Sequence, residues 1–205
     1  MEDVLDIYKR PYNKLYPVVC FDETTRQLLG ETKTPLPAEK GKPRRYDYEY
    51  VRKGVAHLSM AFEPLAAKRF VRITETFTQI DFAYCLEQLA ERYADAKKII
   101  LIMDNLRVHS LACLYLVFSP EKARSLAERF EIHYTPKHGS WLNMVEIEIG
   151  VLSRQCLNQR IPDLKTMDIH VQAWSKNRNN QKQKVQWHFT TKNARIKLLH
   201  LYPRI

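Results

Sequence analysis

Apolar positions along the chain fall first into short runs and later into helical spacings. Residues 17–22 (Pro-Val-Val-Cys-Phe-Asp) form an apolar run of strand length, and two acids, Asp22 and Glu23, close it. The stretch 34–43, rich in breakers and basic residues, predicts a loop. Tyr46, Tyr48 and Tyr50 alternate with Asp47 and Glu49, a period of two that predicts a strand. Residues 57–62 and 69–73 predict two more, so an antiparallel meander is expected after the first strand. From Ile80 to about Tyr93 apolar residues recur at helix spacing. The continuous run Lys98 to Asp104 predicts a buried, central, largely parallel strand. Helices are expected over 110–118 and 120–130, the second with Pro120 in its first turn after Ser119 as cap. A short strand over 131–135 and a turn over 136–139 lead to a helix capped by Ser140. That helix carries Leu142, Val145, Ile149, Leu152 and Cys156 on one stripe. The order predicts a mixed α/β domain.

Composition narrows the class. The chain has 205 residues, 45% hydrophobic and 27% charged, with 5 Gly and 10 Pro. At roughly 150 residues per domain this predicts one domain with a sizeable core and excludes collagen-like and disordered classes. The longest apolar run, Leu111 to Phe118, is far shorter than the ~20 residues of a membrane span. The acidic start, Met1-Glu2-Asp3, predicts no secretory signal. Cys20, Cys85, Cys113 and Cys156 are scattered, with no CxxC pair. They read as reduced core thiols of a cytosolic protein rather than a disulfide framework or zinc site. Lys and Arg number 33 against 23 Asp and Glu, a net charge of +10. Eight of those cations (Lys176, Arg178, Lys182, Lys184, Lys192, Arg195, Lys197 and Arg204) follow Trp174, a stretch without any acid. Such asymmetry points to a polyanion partner, most simply nucleic acid, over a merely solvated basic face.

Three carboxylates sit where chemistry favours them. Asp22 and Asp104 end the two most strand-like runs, and parallel neighbours would deliver both to one carboxyl edge, where open α/β sheets place their sites. Glu146 lies on the later helix, beside its apolar stripe and on a flank shared with Asn143 and Gly150. Hard divalent cations prefer carboxylate oxygen, and two of them about 4 Å apart can clamp the attacking and leaving oxygens of a phosphodiester. A strand-terminal Asp is by itself more often a turn former or helix cap. Two such residues with a helical Glu and a basic tail reverse that weighting. Glu23 and Glu148 are rivals: alternation turns Glu23 to the opposite face from Asp22, and Glu148 falls across the stripe from Glu146.

These residues also carry a resemblance. The segment 19–24 with Asp22, Met103-Asp104-Asn105 with His109, the run His138-Gly139-Ser140-Trp141-Leu142-Asn143-Met144-Val145-Glu146, and the ending from Phe189 to Pro203 together resemble the mariner-related bacterial insertion-sequence transposases, usually numbered six-thirty. The similarity runs from about Tyr12 onward. It implies a ribonuclease-H-like mixed sheet with flanking helices. It also implies a DDE triad of Asp22, Asp104 and Glu146 that binds two Mg²⁺ or Mn²⁺ ions, with Asn143 shaping the start of the glutamate's helix. The implied activity is excision of an element from DNA and its joining to a target, commonly at TA. Water and then a freed 3′-hydroxyl would attack phosphorus in line. Two departures stand out. The 41 residues between Asp104 and Glu146 exceed the mariner-like norm, the excess falling in 119–129. About sixteen residues precede the core, where the family usually carries a helix-turn-helix region.

The expected layout is therefore a linker-like segment over 1–16, a DDE catalytic domain over 17–173 and a basic extension over 174–205 packed on the same domain. A second frame of a split transposase, a truncated relic and a deliberately cut piece all fit this layout. The expected partners are double-stranded DNA as transposon ends and target, a separately encoded N-terminal DNA-binding portion and a second copy in a homodimer, with no membrane. The expected place is the cytoplasm, at the bacterial nucleoid. Two rivals remain: a decayed transposase that only binds DNA, and another nuclease of the same fold such as a resolvase or ribonuclease H.

Other residues carry narrower expectations. Lys137 and His138, ahead of the Glu146 helix, are expected at phosphate. Arg44 and Arg45, with Lys40 and Lys42, are expected at flanking DNA, and Lys182 and Lys184 represent the basic tail. His109 is expected to position DNA or cap the next helix rather than ligate Mg²⁺. His133 is expected to be a satisfied core residue. Trp141 is expected to be buried beneath the helix start in preference to stacking on a base. Trp174 and Trp187 are left to the core.

Overall fold

A computed structural model describes residues 1–202. Pro203 of the C-terminal ending and Arg204 of the basic tail lie outside the described residues. Strands β1 (Val18–Glu31), β2 (Tyr50–Glu63), β3 (Lys68–Thr74), β4 (Ile99–Met103) and β5 (Phe130–Tyr134) form one sheet in the order β3-β2-β1-β4-β5. The β1/β2 and β2/β3 pairs are antiparallel, and β4 runs parallel to both β1 and β5. The meander and the central parallel strand are as expected, and all five residues of β4 are buried.

Period-two alternation sends successive residues to opposite faces, and each face is covered. Val19, Phe21, Leu101 and Met103 face helices α2 (Gln79–Arg92), α3 (Leu114–Val117) and α4 (Pro120–Ala127) in one core cluster. Cys20, Ile100, Ile102 and Met60 face the other cluster. It is built by α1 (Glu2–Tyr8), α5 (Val145–Gln155), α6 (Leu164–Asn180) and α7 (Thr191–Lys197). The α2 start is fixed by a reciprocal pairing of Thr78 with Asp81. Ser119 caps α4, with Pro120 in its first turn.

The structure corrects several local expectations. Residues 2–8, expected as linker, form α1, because Val4, Leu5 and Ile7 supply an apolar stripe that is buried in the core. The junction expected at 173/174 falls inside α6, whose Met167, Val171 and Ser175 are buried across it. Residues 46–49 are not strand. Their tyrosines find no face to bury, Tyr48 being 85% exposed, and Arg160 instead packs over the Tyr46 and Tyr50 rings and donates to the Tyr48 and Glu49 carbonyls. The segment 110–118 splits into a 3₁₀ turn over Leu111–Cys113 followed by α3. The helix expected from Ser140 begins only at Val145, because Ser140–Leu142 form a 3₁₀ turn and the extended Asn143 after it sends its side chain back to β1.

All four cysteines are buried and free. Among the described residues no helix is long and apolar enough to cross a membrane.

Candidate active site

The parallel register builds the site. Its last β1/β4 pair is Cys20↔Ile102, and two residues further along each chain stand Asp22 and Asp104. Asp22 shares the face of Cys20, the face on which α5 packs; Asp104 stands just past the end of β4, and Glu146 sits in the first turn of α5. Helix α5 is anchored there by Val145, Ile149 and Leu152.

Asn143 ties the helix start to the strand. Its Nδ2 donates to the Phe21 carbonyl at 2.8 Å and to Asp22 Oδ2 at 3.3 Å, while the Glu23 backbone N–H donates to Asp22 Oδ1 at 2.9 Å. Asn143 is fully buried, and its Oδ1 has no hydrogen-bond partner among the described residues. The Gly139 before it is required sterically: a Cβ there would stand 2.6 Å from Pro136 Cγ.

The electrostatics are those of crowded acids. Burial pushes the Asp22 carboxyl up to about 7, with the charges of Glu23, Glu146 and Asp104 adding to the rise. Burial, then Asp104 and Glu23, also raise the Glu146 carboxyl above its ordinary value. The charge of Asp104 thus acts on both Asp22 and Glu146, and that of Glu146 on Asp22. Among the described residues, however, no three His, Cys, Asp or Glu side chains close to the spacing that holds a metal ion. As a donor set the carboxylates suit a hard divalent cation, whose charge would relieve this repulsion.

His109 corrects an expectation. It neither caps a helix nor reaches outward: it is 1% exposed, within 6 Å of the rings of Phe21, Phe77 and Phe82. Its Nδ1 lies 2.5 Å from Asp104 Oδ1, and its Nε2 lies 3.1 Å from Glu23 Oε2. Burial works against its charged form, but Glu23 and Asp104 outweigh that, and its pKa is raised. Glu23 therefore has a place in the site as the partner of His109, reached from the sheet face opposite Asp22. The period of two was the signal for that.

The remaining expected residues separate. Lys137 and His138 line one open cleft with Asp104 and Ser140. Arg44 lines another, with Glu31, Tyr46 and Arg160, in the loop between β1 and β2 that also carries Arg45. Lys182 and Lys184 lie on the exposed segment after α6. Glu148 is the rival that fails: it is fully buried against Arg69 and Arg178. His133 bonds Asp3 and Glu131 on β5 and is only partly buried. Trp141 is not buried. It is 45% exposed, stacked 6.3 Å from Trp187 at 20° and edge-on to Phe189. Trp174 and Trp187 pack on the α5-side core as expected.

Residues 17–168 match the family described as DDE superfamily endonuclease. Among curated proteins none matches the sequence. Among solved structures, the chain is similar to the Mos1 transposase paired-end complex with left transposon end, at TM-score 0.58 and 14% identity, covering 88% of this chain and 56% of that one. It is similar to the Mos1 strand transfer complex, at 0.57 and 15%, covering 89% and 55%. A third is the simian T-cell lymphotropic virus intasome in complex with PP2A regulatory subunit B56 gamma, at 0.51 and 16%, covering 96% and 59%. The chain spans just over half the length of these solved chains. The shared fold is the ribonuclease-H-like mixed sheet of transposase and integrase catalytic cores.

Proposed function

The chain belongs to the DDE superfamily endonuclease family, and from that premise we propose that it is the catalytic domain of a DNA transposase, performing metal-dependent strand cleavage and strand transfer of an insertion sequence. The observation that carries this reading is the placing of Asp22, Asp104 and Glu146 at one sheet edge, where burial and the charge of Asp104 raise the pKa of both Asp22 and Glu146. In this reading the three acids hold Mg²⁺ or Mn²⁺. Bound cations would supply Lewis-acid stabilisation of charge on the phosphate oxygens. Asn143 and the Glu23 backbone keep Asp22 aimed from β1, and α5 presents Glu146 from across the edge. Lys137 and His138, in the cleft with Asp104, take the DNA backbone phosphates. Arg44, Arg45, Lys182 and Lys184 extend that contact along the duplex.

The motif set around Asp104 and Glu146 supports assignment to the mariner-related insertion-sequence family six-thirty, hence a bacterial protein acting at the nucleoid. In this reading the catalytic core runs from β1 through α6 with α1 packed on it, and the segment after α6 is a basic extension. Recognition of element ends by a separate N-terminal portion and pairing of two copies complete the reading.

The test is nicking of supercoiled plasmid in Mn²⁺ by wild type and Asp104→Asn. Cleavage lost in the variant is the expected result. Preferential cutting of an RNA–DNA hybrid would instead identify a nuclease of the same fold. Salt-sensitive DNA binding with no cleavage in any divalent metal would identify a decayed transposase.

A further inference from the structure

The two oxygens of Asp104 are treated differently. Oδ1 receives both the His109 ring at 2.5 Å and the Leu106 backbone N–H at 3.3 Å. Oδ2 makes no hydrogen bond among the described residues, and Asp104 lines the open cleft that holds Lys137 and His138. The His109 ring cannot swing away, because Phe21 and Phe82 pack on it at centroid distances of 5.6 and 5.0 Å, and Glu23 holds its far nitrogen. Donation to Asp104 requires a hydrogen on Nδ1, and a carboxylate on the Nε2 side requires one there too.

We propose that His109, locked by Glu23, is a positioning residue that fixes the Asp104 carboxylate so that one oxygen is occupied by protein and the other is offered to a divalent cation. This rests on reading Asp104 as a metal-holding acid. Glu23 fixes the ring, the ring fixes Oδ1, and Oδ2 is left for the cleft. Groups that orient a metal-holding side chain in this way typically contribute 10–100-fold to metal affinity.

The amide of Asn places its nitrogen near the position of histidine Nδ1, and that of Gln places it near Nε2. His109→Asn therefore keeps the donor to Asp104, whereas His109→Gln keeps only the one to Glu23. Mn²⁺ binding to the full chain is measured by calorimetry for wild type, both variants and His109→Ala, with thermal melting confirming that each is folded at the titration temperature. The expected result is affinity within a few-fold of wild type for Asn and a loss of about tenfold or more for Gln and Ala. A purely packing role predicts Mn²⁺ affinity that ignores the position of the amide. Equal affinity in Asn and Gln, or wild-type affinity in a folded His109→Ala, overturns the inference. Wild type that binds no Mn²⁺, or an Asp22→Asn/Asp104→Asn variant that binds it equally well, overturns the functional reading itself and this inference with it.

Discussion

Arg69 on β3 and Glu148 on α5 meet at 2.6 Å with neither side chain exposed. Arg178 of α6 adds a second contact to the same carboxylate at 2.9 Å. Arg69 also donates to the Ala67 and Gln183 carbonyls, so one buried guanidinium joins β3, α5 and the segment after α6. Because Glu148 stands two residues past Glu146, this junction sets how α5 lies against the sheet.

Removing one partner of a buried pair leaves the other charged and alone, at a cost of about 3–5 kcal/mol. Glu148→Ala is expected to destabilise by that order in urea unfolding. The Arg69→Leu/Glu148→Leu double variant should lose much less than the sum of the single variants. Additive losses would show that the pair does not act as a unit.

Glu63, 2% exposed, accepts a hydrogen bond from the Tyr93 hydroxyl at 2.9 Å. Burial raises its pKa above the ordinary carboxylate value, and Tyr93 and Lys68 only partly offset that. A group whose folded pKa is raised contributes stability that is full below the unfolded value and lost as pH rises through the folded one. Glu63→Gln, neutral throughout, should therefore gain relative to wild type as pH climbs from about 4 through that value. Parallel stability-against-pH curves for the two proteins would refute it.

Trp141, exposed and backed by Trp187 and Phe189, offers a firm aromatic face beside the turn carrying Lys137 and His138. Stacking of a base on such a face is worth about 1–3 kcal/mol. Trp141→Ala should weaken single-stranded DNA binding by that amount in fluorescence anisotropy, with Trp141→Phe retaining most of it. An unchanged affinity in the alanine variant would remove Trp141 from the interface.

Arg44 and Arg45 are exposed on the loop between β1 and β2. If they meet phosphate, replacing both by Ala should weaken duplex binding evenly across sequences. The slope of log affinity against log salt should flatten by roughly one to two. Lower affinity at an unchanged slope would assign the loop some other role.

Period and run length, read from the sequence, determined the meander, the parallel central strand, the long second helix and where Asp22, Asp104 and Glu146 stand on their elements. Each depends on neighbours within a few residues: alternation chooses a face, and an uninterrupted apolar run demands burial on both. The sequence also placed Glu23 and Glu148 off the face of their neighbours, since parity and helical phase are local properties. Tertiary structure alone decided what depends on distant chain segments. The Tyr46–Tyr50 alternation forms no strand over 46–49 because Arg160, more than a hundred residues on, takes up its carbonyls. The Glu146 helix starts late because Asn143 is spent on β1. Trp141 stays exposed because Trp187 and Phe189, not the core, lie beneath it. His109 faces two carboxylates because β1 and β4 lie side by side in a register no local pattern encodes. Side-chain polarity and spacing fix which surfaces an element needs to bury. Which partner satisfies a particular hydrogen bond or charge is fixed only when the elements pack.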